Sequence, residues 1–448
     1  MRRDLTDGLV LRWSTAKDVE DLAKLNSLVF RWDQNEPNLG LANVVRRCMR
    51  GDHPSMGPED VMVVEDIHKE GNRIVACAFY LQEEWEYDGI VVPVARPDIV
   101  ATEPAYRNRG LIRAALEVMH ERAEREGRPV QGITGIPYFY RQFGYEYAVD
   151  ERGHVAVALG LLPDKPADEE PYRLRQARTE DVPAIAACYR QQQAGYLVSR
   201  RLPASFWQYY IDAEHEMEPM WNDERLRVVE RAGGDFRGFV FTPYRRSDDT
   251  FTVSMIGLVP GTNLAHAAPA LLRELKRLGE QTTVKRSPTP SDAPDKPLQK
   301  LVLELGRNHP LYETLEPGWL PHREAPSAWY VRVPDLPRLL RLVAPALERR
   351  LLNSRFTGHS GELKLDFYRG GLRMCFEDGK LKTVEDCRFG AYDSSAKGGF
   401  PPLPFLCLVF GHSSLDELRA AYPDIWVDGE AEAFLKTLFP KRASRLVD

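Results

Sequence analysis

One short pattern occurs twice in this chain, and it limits the fold more than any other feature. The stretch LRWSTAKDVEDLAKL at residues 11–25 aligns without a gap with LRQARTEDVPAIAAC at residues 174–188. Each copy predicts a short strand, a polar turn and an amphipathic helix. Further along, PYFYRQFGYEY at residues 137–147 is weakly similar to PLYETLEPGW at residues 310–319. Two matches in the same order favour a duplicated α/β unit.

Two proline-rich stretches divide the chain into three segments. GLLPDKPADEEP covers residues 160–171, and EPGWLPHREAPS covers residues 316–327. Proline and polar residues at this density are typical of linkers between domains. A chain of 448 residues is also too long for one ordinary core. We therefore predict three domains, over residues 1–160, 171–320 and 325–448.

The composition is that of a folded, soluble protein. Hydrophobic residues make up 43% of the chain and charged residues 28%. The net charge of −6 and the lack of a basic block argue against a nucleic-acid partner. The six cysteines are scattered without a C-x-x-C pair, so we expect reduced thiols in a cytoplasmic protein. No run of about 18 apolar residues occurs, so no membrane span or membrane partner is predicted.

The first segment combines strand-rich and helical patterns. The runs VMVVEDI, IVACAFYL, IVVPVA and DIVATE predict strands. A helical pattern with Ile112, Leu116, Met119 and Ala123 on one face comes next, followed by the strand candidate VQGITG. Strands, a helix and another strand in this order predict a mixed sheet with a crossover helix.

The last segment predicts an α+β domain. It opens with DLPRLLRLVAPALERRL, which predicts one amphipathic helix. The GG and DG pairs in GELKLDFYRGGLRMCFEDGKLKTVE predict tight turns between strands. The apolar run FPPLPFLCLVFG that follows could be core or could line a cavity for a hydrophobic ligand.

Positive charge and glycine are concentrated where the helix of the first segment begins. Arg107, Asn108, Arg109 and Gly110 come directly before the helical pattern. Arginine usually stabilises the C-terminal end of a helix, so this placement is the reverse of the usual one. A helix N-terminus presents unpaired N–H groups and positive potential, which favour phosphate. The pattern therefore predicts a phosphate-binding site.

This motif resembles the acetyl-coenzyme A motif of the Gcn5-related N-acetyltransferases, R/Q-x-x-G-x-G/A after a strand. Ile112 departs from it, because the family usually has a small residue there. The three-segment order and the element FYRQFGYEY at residues 139–147 resemble the Eis (enhanced intracellular survival) family. The resemblance implies an α+β fold with two tandem Gcn5-related N-acetyltransferase-like mixed-sheet domains and a sterol-carrier-like α+β domain. Residues 171–320 lack the Arg-x-x-Gly motif, so this second copy is expected to be degenerate and to bind no cofactor.

The resemblance implies an acetyl-coenzyme A site in the catalytic first domain. Val100, Ala101 and Thr102 are expected to hydrogen-bond the pantetheine arm through main-chain groups, as an added strand would. The pyrophosphate is expected at the helix start, on residues Arg107, Asn108, Arg109, Gly110, Leu111, Ile112 and Arg113. Gly135 and Ile136 are expected to line the other side.

Two catalytic groups follow from the same resemblance. Tyr140 aligns with the tyrosine that protonates the departing thiolate as general acid. From the sequence pattern alone, Tyr140 could instead be a core aromatic beside Phe139 and Phe143. The main-chain carboxylate of Asp448 is expected to act as the base for the amine, with a frayed, exposed terminus as the alternative.

The resemblance also implies acetyl transfer, by direct attack in a ternary complex, to a primary amine of a cationic, aminoglycoside-like substrate. Such a substrate needs an acidic pocket. The candidate residues are Asp33, Glu36, Glu83, Glu84, Trp85 and Glu86. A run of this kind could instead be the solvated edge of a strand.

Further expectations concern partners and alternatives. No metal is expected, because the histidines have no ligand spacing. A homo-oligomer is expected, hexameric by family resemblance. The acceptor could instead be a protein lysine or a polyamine, and the last segment could instead make the protein a carrier of lipid or another hydrophobic ligand.

Overall fold

The computed structural model of this chain describes residues 1–31, 36–213, 224–231, 233–285, 296–319, 322–390 and 394–447. Within these ranges the strands form four sheets, and helices cover them, so the fold is mixed α and β. Among the helices of these ranges, none is long and apolar enough to cross a lipid bilayer.

The first segment supplies most of a nine-stranded sheet. Its helices are Val19–Val29 (α1), Leu39–Cys48 (α2) and Leu111–Arg125 (α3). Its strands are Arg2–Asp4 (β1), Leu9–Trp13 (β2), Val61–Asp66 (β3), Ile74–Tyr87 (β4), Ile90–Thr102 (β5), Val130–Ile133 (β6), Glu146–Glu151 (β7) and His154–Ala158 (β8). The helix α3 crosses between β5 and β6, which pair in parallel as the predicted crossover requires.

Both faces of the first sheet are covered, and the side chains of β4 point alternately to one face and the other. Ala78 and Tyr80 face α3 and belong to one buried cluster. Cys77 and Phe79 face α1 and α2 and belong to another. This alternation is the period of two that a strand buried on both faces presents.

The second segment repeats the strand-and-helix order of the first on a smaller scale. Its helices are Val182–Gln193 (α4), Ala204–Ala213 (α5) and Leu264–Gln281 (α6). Its strands are Tyr172–Gln176 (β9), Val198–Arg200 (β10), Glu224–Arg231 (β11), Phe236–Pro243 (β12), Thr250–Val253 (β13), Met255–Leu258 (β14) and Lys300–Leu303 (β15).

The third segment contains the predicted hairpin strands. Its strands are His322–Glu324 (β16), Ser327–Arg332 (β17), Gly361–Asp366 (β18), Gly371–Glu377 (β19), Lys380–Cys387 (β20), Gly398–Gly399 (β21) and Trp426–Val427 (β22). Its helices are Leu336–Leu342 (α7), Ala344–Leu352 (α8), Phe405–Val409 (α9), Leu415–Ala421 (α10) and Gly429–Leu438 (α11). The helix predicted from DLPRLLRLVAPALERRL is two helices, because Pro345 lacks an N–H group and suits the start of a new helix. The apolar run before α10 lies in the core, where Phe400, Phe405 and Leu408 are buried.

Three strands pair across the predicted segment boundaries. β17 lies between β6 and β7 in the first sheet, although it comes from the third segment. β8 pairs with β15, although it comes from the first segment. β10 of the second segment pairs with β4. The three segments are therefore joined by shared sheets as well as by linkers, and their boundaries stay predictions.

The first two segments contain the same triangle of charged side chains. In the first, Arg12 binds Asp18 at 2.9 Å and Glu65 at 3.0 Å. In the second, Arg175 binds Asp181 at 2.7 Å and Glu230 at 2.7 Å. Both arginines and both aspartates occupy matching positions of the repeated sequence pattern.

Candidate active site

A cleft opens in the first sheet where β5 separates from β6. The two strands pair only at Val94–Val130 and Ala95–Gln131, and the register of β5 against β4 shifts near Asp98. Ile99 has a φ of +41°, a conformation that a β-branched residue rarely adopts. Such backbone strain persists only where the surrounding structure imposes it, and it concentrates at functional sites. The separation leaves a cavity of about 660 Å³ between β5, the start of α3 and the turn Phe139–Phe143.

The start of α3 presents uncapped amides to this cavity. Gly110 is the N-cap residue, with a φ of +72°, and no side chain caps the helix. Asn108 is also left-handed, with a φ of +62°. The N–H groups from Asn108 to Arg113 have no acceptor among the described residues. Successive N–H groups in a turn of this kind form a concave site for an anion.

Gly110 is required by its backbone conformation rather than by crowding. A Cβ atom added there would meet nothing within 4 Å, but the left-handed φ is costly for any residue with a side chain. We expect Gly110→Ala to cost about 1–2 kcal/mol of backbone strain and to weaken acetyl-coenzyme A binding about tenfold, because the turn must change to relieve that strain. Isothermal titration calorimetry measures the affinity.

Gly71 offers a matched control for this substitution. It has a φ of +76°, lies in the open connection between β3 and β4, and does not line the cavity. Gly71→Ala should impose a similar strain and leave the affinity unchanged. Equal losses of affinity in the two variants would contradict the assignment of Gly110.

Three arginines surround the helix start. Arg109 binds Asp7 at 2.9 Å. Arg113 donates to the Gln142 amide oxygen at 3.0 Å and lies over the ring of Phe143. Arg107 is exposed, and its side chain has no hydrogen-bond or ion-pair partner in the described part of the chain. Its charge is therefore available to a ligand in the cleft.

We expect Arg107→Gln to weaken acetyl-coenzyme A binding about tenfold, because a charge-assisted bond to phosphate contributes about 1.5–3 kcal/mol and exposure reduces it. The difference from the unsubstituted protein should shrink as salt rises from 0.05 to about 0.5 M, since salt screens exposed charges. Titration calorimetry at both salt concentrations checks this. Arg125→Gln, at the other end of the same helix, is the control and should bind normally.

Tyr140 combines the two roles that its sequence context left open. Its ring is buried, with its centroid 5.1 Å from that of Phe139 and 5.6 Å from that of Tyr330. Yet Tyr140 lines the cavity, and its hydroxyl has no hydrogen-bond partner among the residues that the structure describes. A buried tyrosine hydroxyl usually finds a partner, so this one is placed for a ligand. Burial, and next the charge of Asp98, raise the pKa of Tyr140, so the phenol keeps its proton at neutral pH.

The wall opposite α3 is formed by the residues after β6. A Cβ atom at Gly135 would lie 3.6 Å from the Tyr140 ring and 3.9 Å from its hydroxyl oxygen. Ile136 is 62% exposed and lines the cavity. The structure therefore places the predicted Gly135 beside the phenol and the predicted Ile136 in the wall of the same cavity.

The strand and helix residues predicted at the cofactor divide into two groups. Val100 and Thr102 line the cavity, as do Leu111 and Ile112, which also pack in the cluster under α3. Ala101 points to the other face of the sheet and is buried in the α1–α2 cluster. Only its main chain is therefore available to a ligand.

Two residues of the predicted acidic pocket, Glu83 and Trp85, do not face the cleft, because β4 lies inside the sheet at this point, between β5 and β10. Glu83 is buried and binds Arg96 at 3.3 Å and Arg200 at 3.1 Å. Trp85 is also buried and packs against Trp329, so neither side chain has surface to offer a substrate. The structure therefore contradicts the predicted substrate contacts of Glu83 and Trp85.

The other acidic candidates lie elsewhere. Glu84 is exposed on β4 and binds Arg201 at 3.4 Å, and Glu86 is half-buried opposite Ser199 of β10. Glu36 is exposed in the connection between α1 and α2 and is not among the residues that line the cavity. Asp33 lies outside the described residues.

A chain of ion pairs, which local sequence patterns do not reveal, links the tail of the chain to the cleft. Arg200 donates to the main-chain oxygen of Val447 at 3.0 Å and binds Glu83. Glu83 binds Arg96, which binds Asp98 at 2.8 Å at the irregularity of β5. Asp448 follows Val447 but lies outside the described residues, so its catalytic role stays a prediction.

In the second segment the strands also separate, but a main-chain oxygen at that point already has side-chain partners. β13 pairs with β15, whereas β14 pairs with β12, so the strands diverge at Ser254. Gln192 donates to the main-chain oxygen of Ile256 at 2.7 Å, and the ring of His309 lies 3.2 Å from the same oxygen. The helix α6 is capped by its own Asn263 side chain, unlike α3. The groups that are open in the first segment are thus used internally in the second.

Away from the cleft, three side chains of the kinds that bind metal ions lie close together. They are far apart in the sequence, so no local pattern indicated the group. The ligand atoms of His154, His322 and Glu324 lie within 4.8 Å of one another on β8 and β16. Glu324 is 63% exposed in its side chain.

Comparisons with known proteins find relatives of the first segment and of the overall fold. Residues 11–148 match the family described as acetyltransferase (GNAT) domain. A stretch of 103 residues is 32% identical to the N-acetyltransferase Eis of Mycobacterium tuberculosis. That match covers 21% of this chain and 26% of the relative, so the chain matches about a quarter of the relative's length.

Two solved structures resemble the whole fold. A GCN5-related N-acetyltransferase from Anabaena variabilis superposes with a TM-score of 0.67 at 14% identity, over 98% of this chain and 99% of that one. Eis1 from Mycobacterium abscessus superposes with a TM-score of 0.58 at 13% identity, also over 98% and 99%. At such identities the likeness establishes the fold alone. The chain therefore contains a Gcn5-related N-acetyltransferase domain and is a distant homologue of the Eis N-acetyltransferases.

Proposed function

We propose that this protein transfers the acetyl group of acetyl-coenzyme A to a primary amine by direct attack in a ternary complex. The observation that carries the proposal is the Tyr140 hydroxyl, which has no partner in the described structure and faces the same cavity as the open amides of α3. A buried proton donor and an anion site on one cavity suit a substrate with a phosphate at one end and a reacting centre at the other.

The residues of the cleft fit this cosubstrate. The N–H groups after Asn108, together with Arg107 and Arg113, suit a pyrophosphate. The separated edge of β5 at Val100 and Thr102 suits an amide-containing arm, which would pair with it as a strand does. The absence of a side chain at Gly135 leaves space beside the phenol.

Acetyl-coenzyme A supplies a thioester, whose carbonyl carbon forms a new C–N bond with the amine while its C–S bond breaks. Tyr140 donates its phenolic proton to the departing sulfur, which leaves as a thiol. Because the pKa of Tyr140 is raised, the phenol is still protonated when the C–S bond breaks. The amine also loses a proton, for which the predicted acceptor is the Asp448 carboxylate.

We also infer that residues 171–320 are a second, degenerate copy of the same domain. The repeated triangles of Arg12 and Arg175, and the shared separation of strands, support duplication. The capped helix α6 and the side chains of Gln192 and His309 in its cleft support loss of cofactor binding.

The acceptor that we propose is a cationic amine of the aminoglycoside type, on the basis of the Eis resemblance. Because Glu83 and Trp85 are buried, recognition of that substrate must depend on other residues. Cytoplasmic location, a homo-oligomer and a sterol-carrier-like last domain also stay predictions.

A thiol-release assay with acetyl-coenzyme A and a panel of aminoglycosides, polyamines and lysine peptides tests the proposal. We expect release with at least one amine and a matching acetylated product in the mass spectrum. Titration calorimetry with acetyl-coenzyme A is the complementary measurement. A protein that neither binds acetyl-coenzyme A nor releases its thiol would overturn the proposed function.

A further inference from the structure

A second cavity lies between the second segment and the tail of the chain. It has a volume of about 480 Å³ and is bounded by Ser444 to Val447, by the turn after β12 and by the point at which β13 and β14 diverge. It shares no lining residue with the acetyl-coenzyme A cleft.

Arg445 lies in the wall of this cavity without a counterion. The residue is only 7% exposed. Its guanidinium donates to the main-chain oxygens of Ser254, at 2.8 Å, and Glu304, at 3.4 Å. No described carboxylate lies within ion-pair distance of it. These carbonyl oxygens bind two of its three side-chain nitrogen atoms and do not neutralise its charge, and a buried charge is normally paired.

The rest of the wall is also suited to negative charge. The charged lining residues are Arg152, Arg245, Lys285 and Arg445 on the basic side and Glu224 and Glu304 on the acidic side. Arg245 is half-buried and likewise has no ion-pair partner in the described ranges. The wall therefore has an excess of positive charge, although the whole chain is acidic.

Two serine hydroxyls on the same wall are unsatisfied. The residue Ser444 is 2% exposed, and its Oγ atom is buried without a hydrogen-bond partner. The Oγ atom of Ser254 is also buried without a hydrogen-bond partner. A buried hydroxyl without a partner is unfavourable unless something else accepts its proton. An oxyanion accepts from hydroxyl and guanidinium donors alike.

We propose that this cavity binds a small oxyanion ligand, held by the guanidinium groups of Arg445 and Arg245 and by the hydroxyls of Ser444 and Ser254. Phosphate and carboxylate groups share this chemistry. The wall includes Arg152 of the first segment, the strands of the second and the tail, so an occupant would stabilise their relative positions.

Thermal unfolding with inorganic phosphate or citrate, each balanced with sodium chloride for ionic strength, tests this proposal. We expect at least one of the two anions to raise the unfolding midpoint in a saturable way, as a ligand of the folded state does. Which anion acts decides between phosphate and carboxylate ligands. No saturable shift with either would overturn the proposal.

Substitutions show which site causes the shift of the unfolding midpoint by the anion. Arg245→Gln and Arg445→Gln should each weaken the apparent affinity at least tenfold, and Arg245→Gln keeps the test valid if Arg445→Gln does not fold. Arg173→Gln, on the exposed face of β9, should respond normally. Arg107→Gln, in the cleft, should also respond normally. A response lost in Arg107→Gln and kept in Arg245→Gln would place the anion in the acetyl-coenzyme A cleft and overturn the proposal, without affecting the proposed activity.

Discussion

Replacing Tyr140 by Phe should lower the turnover of acetyl transfer by about 10²–10⁴-fold, the usual contribution of a positioned general acid. The affinity for acetyl-coenzyme A should hardly change, because the ring remains in its aromatic cluster and only the unpartnered hydroxyl is lost. Thiol release at saturating substrates measures the first quantity, and titration calorimetry measures the second. Unchanged turnover would remove Tyr140 from the mechanism.

Tyr145→Phe is the matched control. Tyr145 is fully buried in the same cluster, but its hydroxyl bonds to His120 at 2.9 Å and does not line the cleft. Turnover in this variant should stay within a few fold of normal, since no proton donor to the substrate is lost. Equal losses in the two variants would show that the cluster, and not the Tyr140 proton, is needed.

The protonation of the Tyr140 phenol also predicts how activity depends on pH. Its ordinary pKa is 10.0, and burial together with the charge of Asp98 raises the pKa further. The proton is therefore present at all lower pH values, so loss of this donor cannot lower activity below pH 10. A decline in neutral solution must be assigned to another group.

Replacing Glu83 by Gln should lower the free energy of unfolding by about 3–5 kcal/mol, the usual cost of breaking a buried ion pair from one side. The substitution keeps the shape but leaves the buried guanidinium of Arg200 without its carboxylate. Burial alone would raise the pKa of Glu83, but Arg200 and Arg96 hold it below the ordinary 4.5. This contribution to stability is thus full above that pH and is lost as pH falls through the lowered pKa.

Urea unfolding followed by circular dichroism measures this effect. Glu84→Gln is the control, because Glu84 lies on the same strand but is exposed and pairs with Arg201 at the surface. An exposed pair contributes only about 0–1 kcal/mol. If the two variants lost the same stability, the buried ion pairs of Glu83 would not stabilise the fold as we argue.

The helix start could be predicted from sequence because every signal there is local. A glycine before an amphipathic pattern, with arginines around it, specifies an uncapped N-terminus within a few residues. The same holds for the paired patterns at residues 11–25 and 174–188, whose arginines and aspartates form matching ion pairs.

The predictions that did not hold depended on distant parts of the chain. The run Glu83 to Glu86 has the polarity of an exposed strand edge, but β10 pairs with it and Arg200 reaches Glu83. No local sequence pattern indicates that β10 pairs with β4. The register shift near Asp98 and the strained Ile99 also leave no sequence signal, since both arise from how β5 leaves its neighbours.

The insertion of β17 between β6 and β7 has a consequence for biosynthesis. A ribosome completes nearly three-quarters of the polypeptide before it reaches this strand, so until then β6 and β7 each have an unpaired edge. Such edges are prone to intermolecular association, and a chaperone that shields them during translation would raise the yield of folded protein.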